Sequence, residues 1–224
     1  MEGLETVESL QDLDLKIPTL SILYASSGTG KTYFLKELLY ILAVKRGEFD
    51  RVYVFSPTGN LATSGWNQVV SHPYLQKVFN EDKIDRLIEL NKLENEKGVD
   101  RRICILLDDC VSSMQLNHKV WAKIAFELRH YNVTLFITSQ YFYKLPPCLR
   151  DNAHNSFIFS IKSEKNLKGI YDEILTSYFD NRKMSDAFIK KHTRDYGVLL
   201  VDNVNNRIYN VRAKDNARKY RINQ

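Results

Sequence analysis

The residues from Leu23 to Thr32 read LYASSGTGKT and combine two glycines with a lysine and several hydroxyl side chains. Glycine adopts a positive φ without steric cost, so Gly28 and Gly30 allow a tight turn. Such a turn aims successive backbone N–H groups at an anion. The stretch fits the phosphate-binding loop (P-loop) pattern G-x-x-x-x-G-K-[ST], with Ala25 in place of the first glycine.

This pattern gives the side chains of the loop defined roles in binding a nucleotide. Lys31 would reach the β- and γ-phosphates, and the hydroxyl of Thr32 would bind Mg²⁺. The alternative is a glycine-rich turn that binds nothing. The predicted nucleotide-binding residues are Ala25, Ser26, Ser27, Gly28, Thr29, Gly30, Lys31 and Thr32.

Two adjacent acids, Asp108 and Asp109, follow the apolar run ICILL. Carboxylates at the end of a buried strand are costly to bury unless a cation or hydrogen-bond donors meet them. This is the Walker B pattern. We therefore expect Asp108 to hold Mg²⁺, directly or through water, and Asp109 to act as the general base that polarises the attacking water. In the alternative interpretation, Asp109 caps a following helix.

A third apolar run, VTLFITS, ends at Gln140, and two arginines lie nearby in the sequence. If this strand lies between the P-loop strand and the Walker B strand, Gln140 comes near the γ-phosphate, where an amide can orient water. Arg150, or its rival Arg129, would stabilise the charge that develops on a neighbouring subunit's nucleotide. The alternatives are a glutamine that begins a surface loop and ordinary surface arginines.

The apolar pattern predicts the elements that must position these residues. Apolar, β-prone runs alternate with helical periodicity, which indicates a mainly parallel sheet. We predict an α/β P-loop NTPase fold of the RecA/ASCE-like kind, with a mainly parallel central sheet, helices on both faces and a C-terminal β-hairpin. Trp66 is interpreted as a lid on the core. The predicted strands are 19–25, 51–56, 102–107, 133–138 and 156–161; the helices lie near 31–46, 68–79, 82–97, 115–130 and 166–179; the hairpin pairs 197–202 with 207–212.

Length and charge indicate one domain with short tails. The 224 residues suffice for a single α/β core, and the sequence shows no repeat and no apolar run of membrane-spanning length. We predict an acidic N-terminal segment at 1–17, an ATPase domain at 18–211 and a basic tail at 212–224. The tail carries five bases and one acid. It is a candidate nucleic-acid contact or, alternatively, a solvated end.

The three cysteines, Cys104, Cys110 and Cys148, lack metal-ligand spacing. An odd number of cysteines without that spacing predicts unpaired thiols in a reducing compartment.

The motifs and their order resemble the genome-packaging ATPases of poxviruses and related large DNA viruses, in the FtsK/HerA branch of P-loop ATPases. The resemblance covers roughly residues 19–180, through ASSGTGKT, VYVFSPTGN, ICILLDDC and LRHYNVTLFITSQYFYKLPPCLRDN. Leu128 stands where the family has glycine. The matching residues of the last block are Arg129, His130, Gln140, Tyr141, Phe142, Leu145, Pro146, Arg150 and Asn152.

The resemblance implies an ATP- and Mg²⁺-dependent motor that moves double-stranded DNA into a preformed viral capsid. It implies a ring of five or six copies with ATP at the subunit interfaces, DNA contacts to the phosphate backbone regardless of sequence, and contacts with capsid proteins. The site of action would be the host-cell cytoplasm where virus assembles, or the virion.

Two other function classes remain open from the sequence. One is a DNA-associated ATPase of the AAA+ type, such as a helicase loader or a transposition ATPase, which carries a further small helical domain after the core. The other is a non-catalytic structural subunit that binds a nucleotide without hydrolysing it.

Overall fold

The computed structural model describes residues 5–7, 9–58, 65–213 and 222. Within these residues, nine strands form one sheet in the order β1-β9-β8-β7-β2-β6-β5-β3-β4. The strands are β1 (Glu5–Val7), β2 (Leu20–Tyr24), β3 (Arg51–Phe55), β4 (Leu75–Gln76), β5 (Ile103–Leu107), β6 (Val133–Ser139), β7 (Asn155–Ile158), β8 (Val198–Asp202) and β9 (Arg207–Val211). The helices are α1 (Lys31–Tyr40), α2 (Glu81–Glu96), α3 (Lys119–Glu127), α4 (Pro147–Asp151), α5 (Glu164–Ile170) and α6 (Arg182–His192), with α1 and α5 extended by π-helical turns at Ile41–Lys45 and Tyr171–Leu175.

The six strands from β7 to β4 in this order run parallel to their neighbours. β8 pairs antiparallel with β7 and with β9, so the last two strands form the expected hairpin at one side of the sheet. β6 lies between β2 and β5, as the sequence predicted. The α/β fold with a mainly parallel sheet is therefore confirmed. The carboxyl ends of β2, β5 and β6 consequently meet at one edge.

The core is divided between the two faces of the sheet, and the helices are divided unevenly. Helices α2 to α6 bury apolar side chains on one face, for example Trp121 of α3 and Ile189 of α6. On the other face, Phe34 and Leu38 of α1 pack with Leu10 and with residues of segment 66–70. Helices thus cover both faces, as predicted. None of the described helices is long and apolar enough to cross a bilayer.

The predicted helix at 68–79 is wrong. This segment contains the 3₁₀ turns Trp66–Gln68 and His72–Tyr74 and the short strand β4. Pro73 explains the difference, because a proline inside a helix lacks the N–H donor and clashes with the carbonyl of the preceding turn. Three further elements, β1, α4 and α6, were not predicted from the sequence.

Described residues near each end of the chain pair with the body of the sheet or its loops. β1 lies within the predicted acidic segment and pairs with β9. Of the predicted basic tail, only residues 212, 213 and 222 lie among the described residues. Ile222 is buried, forms a bridge with Val70 and donates a 2.6 Å hydrogen bond from its N–H to the carbonyl of Val69. Ile222 therefore packs on the segment that carries Trp66.

Candidate functional site

The P-loop connects the carboxyl end of β2 to α1 and is fixed by hydrogen bonds to neighbouring strands. The N–H of Ala25 donates to the carbonyl of Ser139 at 3.0 Å, and the N–H of Ser26 donates to that of Ser160 at 3.2 Å. Gly28 and Gly30 have φ values of 78° and 86°. This left-handed region is strained for residues with a Cβ, which explains why glycines occupy the turn.

A cavity of about 510 Å³ opens over the loop. Its lining brings most of the predicted loop residues together with the carboxylate of Asp109 and the amide of Gln140. Ala25 and Ser26 lie outside its lining, and the Oγ of Ser26 accepts a 3.0 Å hydrogen bond from the N–H of Lys162. The lining residues are Ser27, Gly28, Thr29, Gly30, Lys31, Thr32, Tyr33, Thr58, Asp109, Gln140 and Tyr196.

Three charged or polar side chains meet at the centre of this cavity. The Nζ of Lys31 forms an ion pair with Oδ1 of Asp109. The Nε2 of Gln140 donates a 3.2 Å hydrogen bond to the same oxygen. The structure thus joins residues 31, 109 and 140, which come from three separate motifs.

The backbone of Asp109 is held in a left-handed conformation, with φ of 56°. Its N–H donates a 3.0 Å hydrogen bond to Oγ1 of Thr138. The alternative in which Asp109 caps a helix is wrong, because the next α-helix begins at Lys119 with His118 as its cap. Asp109 therefore points its carboxylate at the P-loop rather than at a helix end.

Asp108 is buried behind the cavity, with 1% of its surface exposed. Its Oδ2 accepts a 2.7 Å hydrogen bond from Nε1 of Trp66, and its Oδ1 accepts a 3.0 Å hydrogen bond from the hydroxyl of Thr138. Burial raises the pKa of this carboxyl group above its ordinary value, against the lowering effect of the Trp66 hydrogen bond. The charge of Asp109 raises this pKa further.

Trp66 contacts the candidate site in a way that the sequence did not predict. It is fully buried, as expected of a lid on the core, but it also supplies a hydrogen bond to Asp108. The Nζ of Lys36 lies 5.5 Å from the centre of its ring. No sequence pattern links a tryptophan to an acid 42 positions away, so only the folded sheet reveals the contact.

Asn166 of α5 is a second residue that the sequence reading missed. It is buried, its Nδ2 donates a 2.7 Å hydrogen bond to the carbonyl of Gln140, and its Oδ1 accepts a 3.2 Å hydrogen bond from the N–H of Phe142. Asn166 therefore fixes the backbone that carries Gln140 and links it to α5.

Arg150 does not line the P-loop cavity. Its guanidinium group contacts both carboxylate oxygens of Glu173, at 2.8 and 3.2 Å, and donates a 2.8 Å hydrogen bond to the carbonyl of Leu145. The ring centres of Phe142 and Tyr143 lie 5.2 and 5.8 Å from it. Within its own subunit, Arg150 holds α4 against the turn that extends α5.

Arg129 lies at the opposite edge of the sheet from the P-loop, because it precedes the amino end of β6. Its side chain is exposed, and its Nη2 lies 3.2 Å from Nε2 of His154. Burial, and then the charge of Arg129, lower the pKa of His154. Neither predicted arginine therefore joins the nucleotide cavity of its own chain.

The family model for "Poxvirus A32 protein" matches residues 8–213. This match spans most of the chain and includes every motif described above. The chain belongs to the poxvirus A32 protein family. The resemblance inferred from the motifs is thereby confirmed.

Relatives of this A32-family chain include "Uncharacterized protein 075L" of Invertebrate iridescent virus 6. It is 26% identical over 184 residues, which cover 81% of this chain and 69% of the relative.

Solved structures with the same fold include the genome packaging NTPase B204 from Sulfolobus turreted icosahedral virus 2 in complex with ATP-gammaS. It is 19% identical, with a TM-score of 0.65, and the alignment covers 89% of this chain and 99% of that one. The pCW3 conjugation coupling protein TcpA, with ATPgS, is 15% identical with a TM-score of 0.57, over 88% of this chain and 61% of that one. At these identities the likeness shows the fold alone.

The three cysteines of this A32-family chain are unpaired. Burial raises the pKa of Cys104 and Cys110, so these thiols stay protonated at neutral pH. Among the described residues no three His, Cys, Asp or Glu side chains gather as a metal cluster.

Proposed function

We propose that this protein is an ATPase that moves double-stranded DNA into a viral capsid. The observation that carries the proposal is the convergence of Lys31, Asp109 and Gln140 in the P-loop cavity. A cation for the phosphates, a carboxylate for the water and an amide to orient it are the groups that phosphoryl transfer to water requires. The relative B204 is a genome packaging NTPase described with ATP-gammaS, which supports the assignment.

The ion pair between Lys31 and Asp109 suggests how hydrolysis depends on the nucleotide. A polyphosphate in the cavity competes with Asp109 for the Lys31 ammonium group, because both are anions. Once Lys31 turns to the phosphates, the carboxylate of Asp109 is released to accept a proton from the attacking water. Gln140, already within 3.2 Å of that carboxylate, orients the same water.

We propose that a magnesium ion binds between the P-loop and Asp108. Its buried carboxylate has a raised pKa, and a divalent cation would offset the cost of burying its charge. A carboxylate and a hydroxyl are hard oxygen donors of the kind that Mg²⁺ prefers. Thr32 and Asp108 would hold the ion, which when bound would neutralise charge on the phosphates. The chain itself supplies the water-activating groups, Asp109 and Gln140.

A basic and aromatic surface next to Gln140 is the proposed contact with DNA. The Nζ of Lys144 lies 4.7 Å from the ring centre of Tyr141, and that of Lys165 lies 5.5 Å from the ring centre of Tyr143. All four side chains are exposed. Lysines bind phosphates without regard to sequence, as packaging requires.

We further propose a ring of five or six copies, because a chain of this size does not encircle a duplex alone. A head-to-tail ring places one subunit's surface beside its neighbour's nucleotide, where Arg150 or Arg129 would act. The ring would contact capsid proteins and would work in the host-cell cytoplasm at the site of virus assembly, or with the virion. Unpaired thiols suit a reducing compartment.

The test is steady-state ATP hydrolysis with and without duplex DNA. We expect DNA to raise the rate and Lys31→Ala to abolish it. Lys45→Ala removes an exposed lysine at the far end of the same helix, so this control should hydrolyse ATP normally. ATP hydrolysis that is indifferent to DNA at low salt would contradict the motor function.

The same ion pair supports a second candidate, a structural subunit that binds ATP without hydrolysing it. In that case Lys31 and Asp109 would remain paired when the nucleotide binds. Single-turnover hydrolysis by purified protein would rule this candidate out. The AAA+ alternative has less support, since none of helices α2 to α6 contributes to the lining of the P-loop cavity.

A further inference from the structure

A second cavity, of about 340 Å³, adjoins the P-loop cavity. The two share the lining residues Thr29, Gly30, Tyr33 and Tyr196, so they lie side by side. Their chemistry differs. The first is lined by charged and polar groups, whereas the second is lined by aromatic rings and contains no charged side chain among its described lining residues.

Tyr196 lies at the boundary between the two cavities. Its side chain is 72% exposed, yet its ring rests on the P-loop, because a Cβ added at Gly30 would lie 3.0 Å from its Cδ1 atom. A large aromatic ring that is exposed and placed against a phosphate-binding loop contributes little to the core. It is well placed to contact a ligand.

The backbone that carries this ring is strained. Asp195 and Tyr196 both have left-handed conformations, with φ values of 50° and 61°. For a residue as bulky as tyrosine this conformation is an outlier, and such outliers persist where the surrounding structure imposes them, often at functional sites.

The residue after Tyr196 explains why the strain persists. A Cβ on Gly197 would lie 2.2 Å from the carbonyl oxygen of His192, so the turn packs directly on the end of α6. The N–H of Gly197 also donates a 2.9 Å hydrogen bond to the carbonyl of Arg194. The turn is therefore fixed, and the ring of Tyr196 is held over Gly30.

We propose that the second cavity binds the base of a purine nucleoside triphosphate, which stacks on Tyr196 and contacts Tyr33. This subsite rests on the proposed function, since the triphosphate would lie in the adjoining P-loop cavity. Tyr33 directly follows Thr32, the last residue of the P-loop, and its ring lines the second cavity. Aromatic rings contact the flat face of a base, which every purine offers.

The lining also indicates what the subsite does not distinguish. The hydroxyl of Thr29 donates a 2.8 Å hydrogen bond to the carbonyl of Ser26, so its proton is not available to a base. Strong discrimination between bases needs hydrogen-bonding groups dedicated to one base edge. We therefore expect ATP and GTP to bind with affinities within about fivefold of each other, since stacking is tolerant of base identity.

The experiment measures binding of ATP, GTP and inorganic tripolyphosphate by calorimetry to the full-length protein. Tyr196→Asn removes the ring but suits the left-handed backbone, and Tyr196→Phe keeps the ring. We expect Tyr196→Asn to weaken ATP binding about tenfold to a hundredfold and Tyr196→Phe to bind within about twofold of wild type. Tripolyphosphate should bind all three proteins equally. Phe126→Ala, which removes an exposed aromatic ring on α3, is the matched control.

The melting temperature separates a ligand-binding role from a structural one. Tyr196→Asn relieves strain and removes an exposed ring, so its melting temperature should be unchanged or higher. A lower melting temperature together with parallel loss of ATP and tripolyphosphate would overturn the subsite, as would unaltered ATP affinity. An affinity for GTP more than tenfold weaker than that for ATP would contradict the expectation that the subsite accepts both purines. If the wild-type protein binds ATP and GTP no more tightly than tripolyphosphate, the base subsite is wrong but the proposed function stands. If it binds neither tripolyphosphate nor a nucleotide, the proposed function is wrong as well.

Discussion

The carboxylate of Asp108 combines an unfavourable burial with two specific hydrogen bonds. Trp66 and Thr138 donate to its two oxygens, yet burial still raises its pKa above the ordinary value. An acid whose pKa is raised in the folded state destabilises the fold once the pH exceeds the pKa of the unfolded chain. Burial of this carboxylate therefore costs stability at neutral pH, which fits the role in binding Mg²⁺ that we propose for it.

We predict that Asp108→Asn stabilises the protein and abolishes hydrolysis. An asparagine can accept from Trp66 and donate to Thr138 without carrying a charge. At pH 7 and without Mg²⁺, the free energy of unfolding should rise by about 1 kcal/mol, or about 2–4 °C in melting temperature. The gain should fade as the pH falls towards about 4, where the wild-type acid is protonated in both states. Urea unfolding at several pH values measures this, and an equal gain at every pH would contradict the explanation.

A second prediction concerns the indole of Trp66. Trp66→Phe keeps most of the packing but removes the donor to Asp108, so it should lower the free energy of unfolding by about 1–3 kcal/mol at pH 7. In the Asp108→Asn background the cost should be smaller, because no charge is left without a partner. A double-mutant cycle by urea unfolding gives this coupling, and additive effects would show that the hydrogen bond contributes nothing.

At the scale of elements, the loops at the carboxyl edge of the sheet separate the nucleotide from the proposed DNA surface. Gln140 directly follows the last residue of β6, and Asn166 connects its carbonyl to α5. Lys165 precedes Asn166 by one position, and Lys144 lies four positions beyond Gln140. The residues that would orient water and those that would contact DNA therefore share one short connection.

We predict that the double variant Lys144→Ala/Lys165→Ala loses DNA stimulation and keeps its rate of ATP hydrolysis without DNA. Two fewer phosphate contacts should reduce the slope of log affinity against log salt by about 1.8. The control, Lys45→Ala/Lys97→Ala, removes the same charge from exposed lysines at the opposite edge of the sheet. Fluorescence anisotropy with duplex DNA at several salt concentrations measures the slope; equal slopes for the two double variants would place the DNA elsewhere.

The strands and the P-loop were predictable because their signals are local. All five predicted strands are present, and their bounds agree within one or two residues except at the end of β7, which is Ile158 and not residue 161. The segment around Pro73 was misread as helical because its apolar residues happen to recur at helical spacing. β1 is three residues long and depends on its pairing with β9, which no local pattern reveals. The contacts of Trp66 and Asn166 likewise exist only after folding.

At the scale of the whole molecule, Arg150 connects the fold of one subunit with the proposed ring. Its clamp on Glu173 stabilises the subunit, whereas a role in the neighbour's site would require the guanidinium group to reach outward. A substitution at Glu173 distinguishes the two roles, because Glu173→Gln weakens the contact with Arg150 but leaves the arginine in place.

We predict that Arg150→Ala and Asp109→Asn proteins are each inactive and that mixing them restores part of the hydrolysis. In a mixed ring, some interfaces join an intact Asp109 to a neighbour's intact Arg150. Glu173→Gln should keep most of the wild-type activity. Hydrolysis rates of mixtures over a range of ratios measure the rescue. If mixing restores nothing and Glu173→Gln is as inactive as Arg150→Ala, the arginine is structural and Arg129 becomes the candidate to test in the same way.

The chain has two tryptophans, and they lie on opposite faces of the sheet. Trp121 packs among the helices and donates to the carbonyl of Gln115, whereas Trp66 donates to the carboxylate of Asp108. Replacing Trp121 by phenylalanine would leave one indole as the source of the tryptophan emission. Because the emission of an indole responds to a charge on its hydrogen-bond acceptor, that light would follow any cation or proton that reaches Asp108. The protein thus carries an optical reporter of the charge at Asp108, without an attached dye.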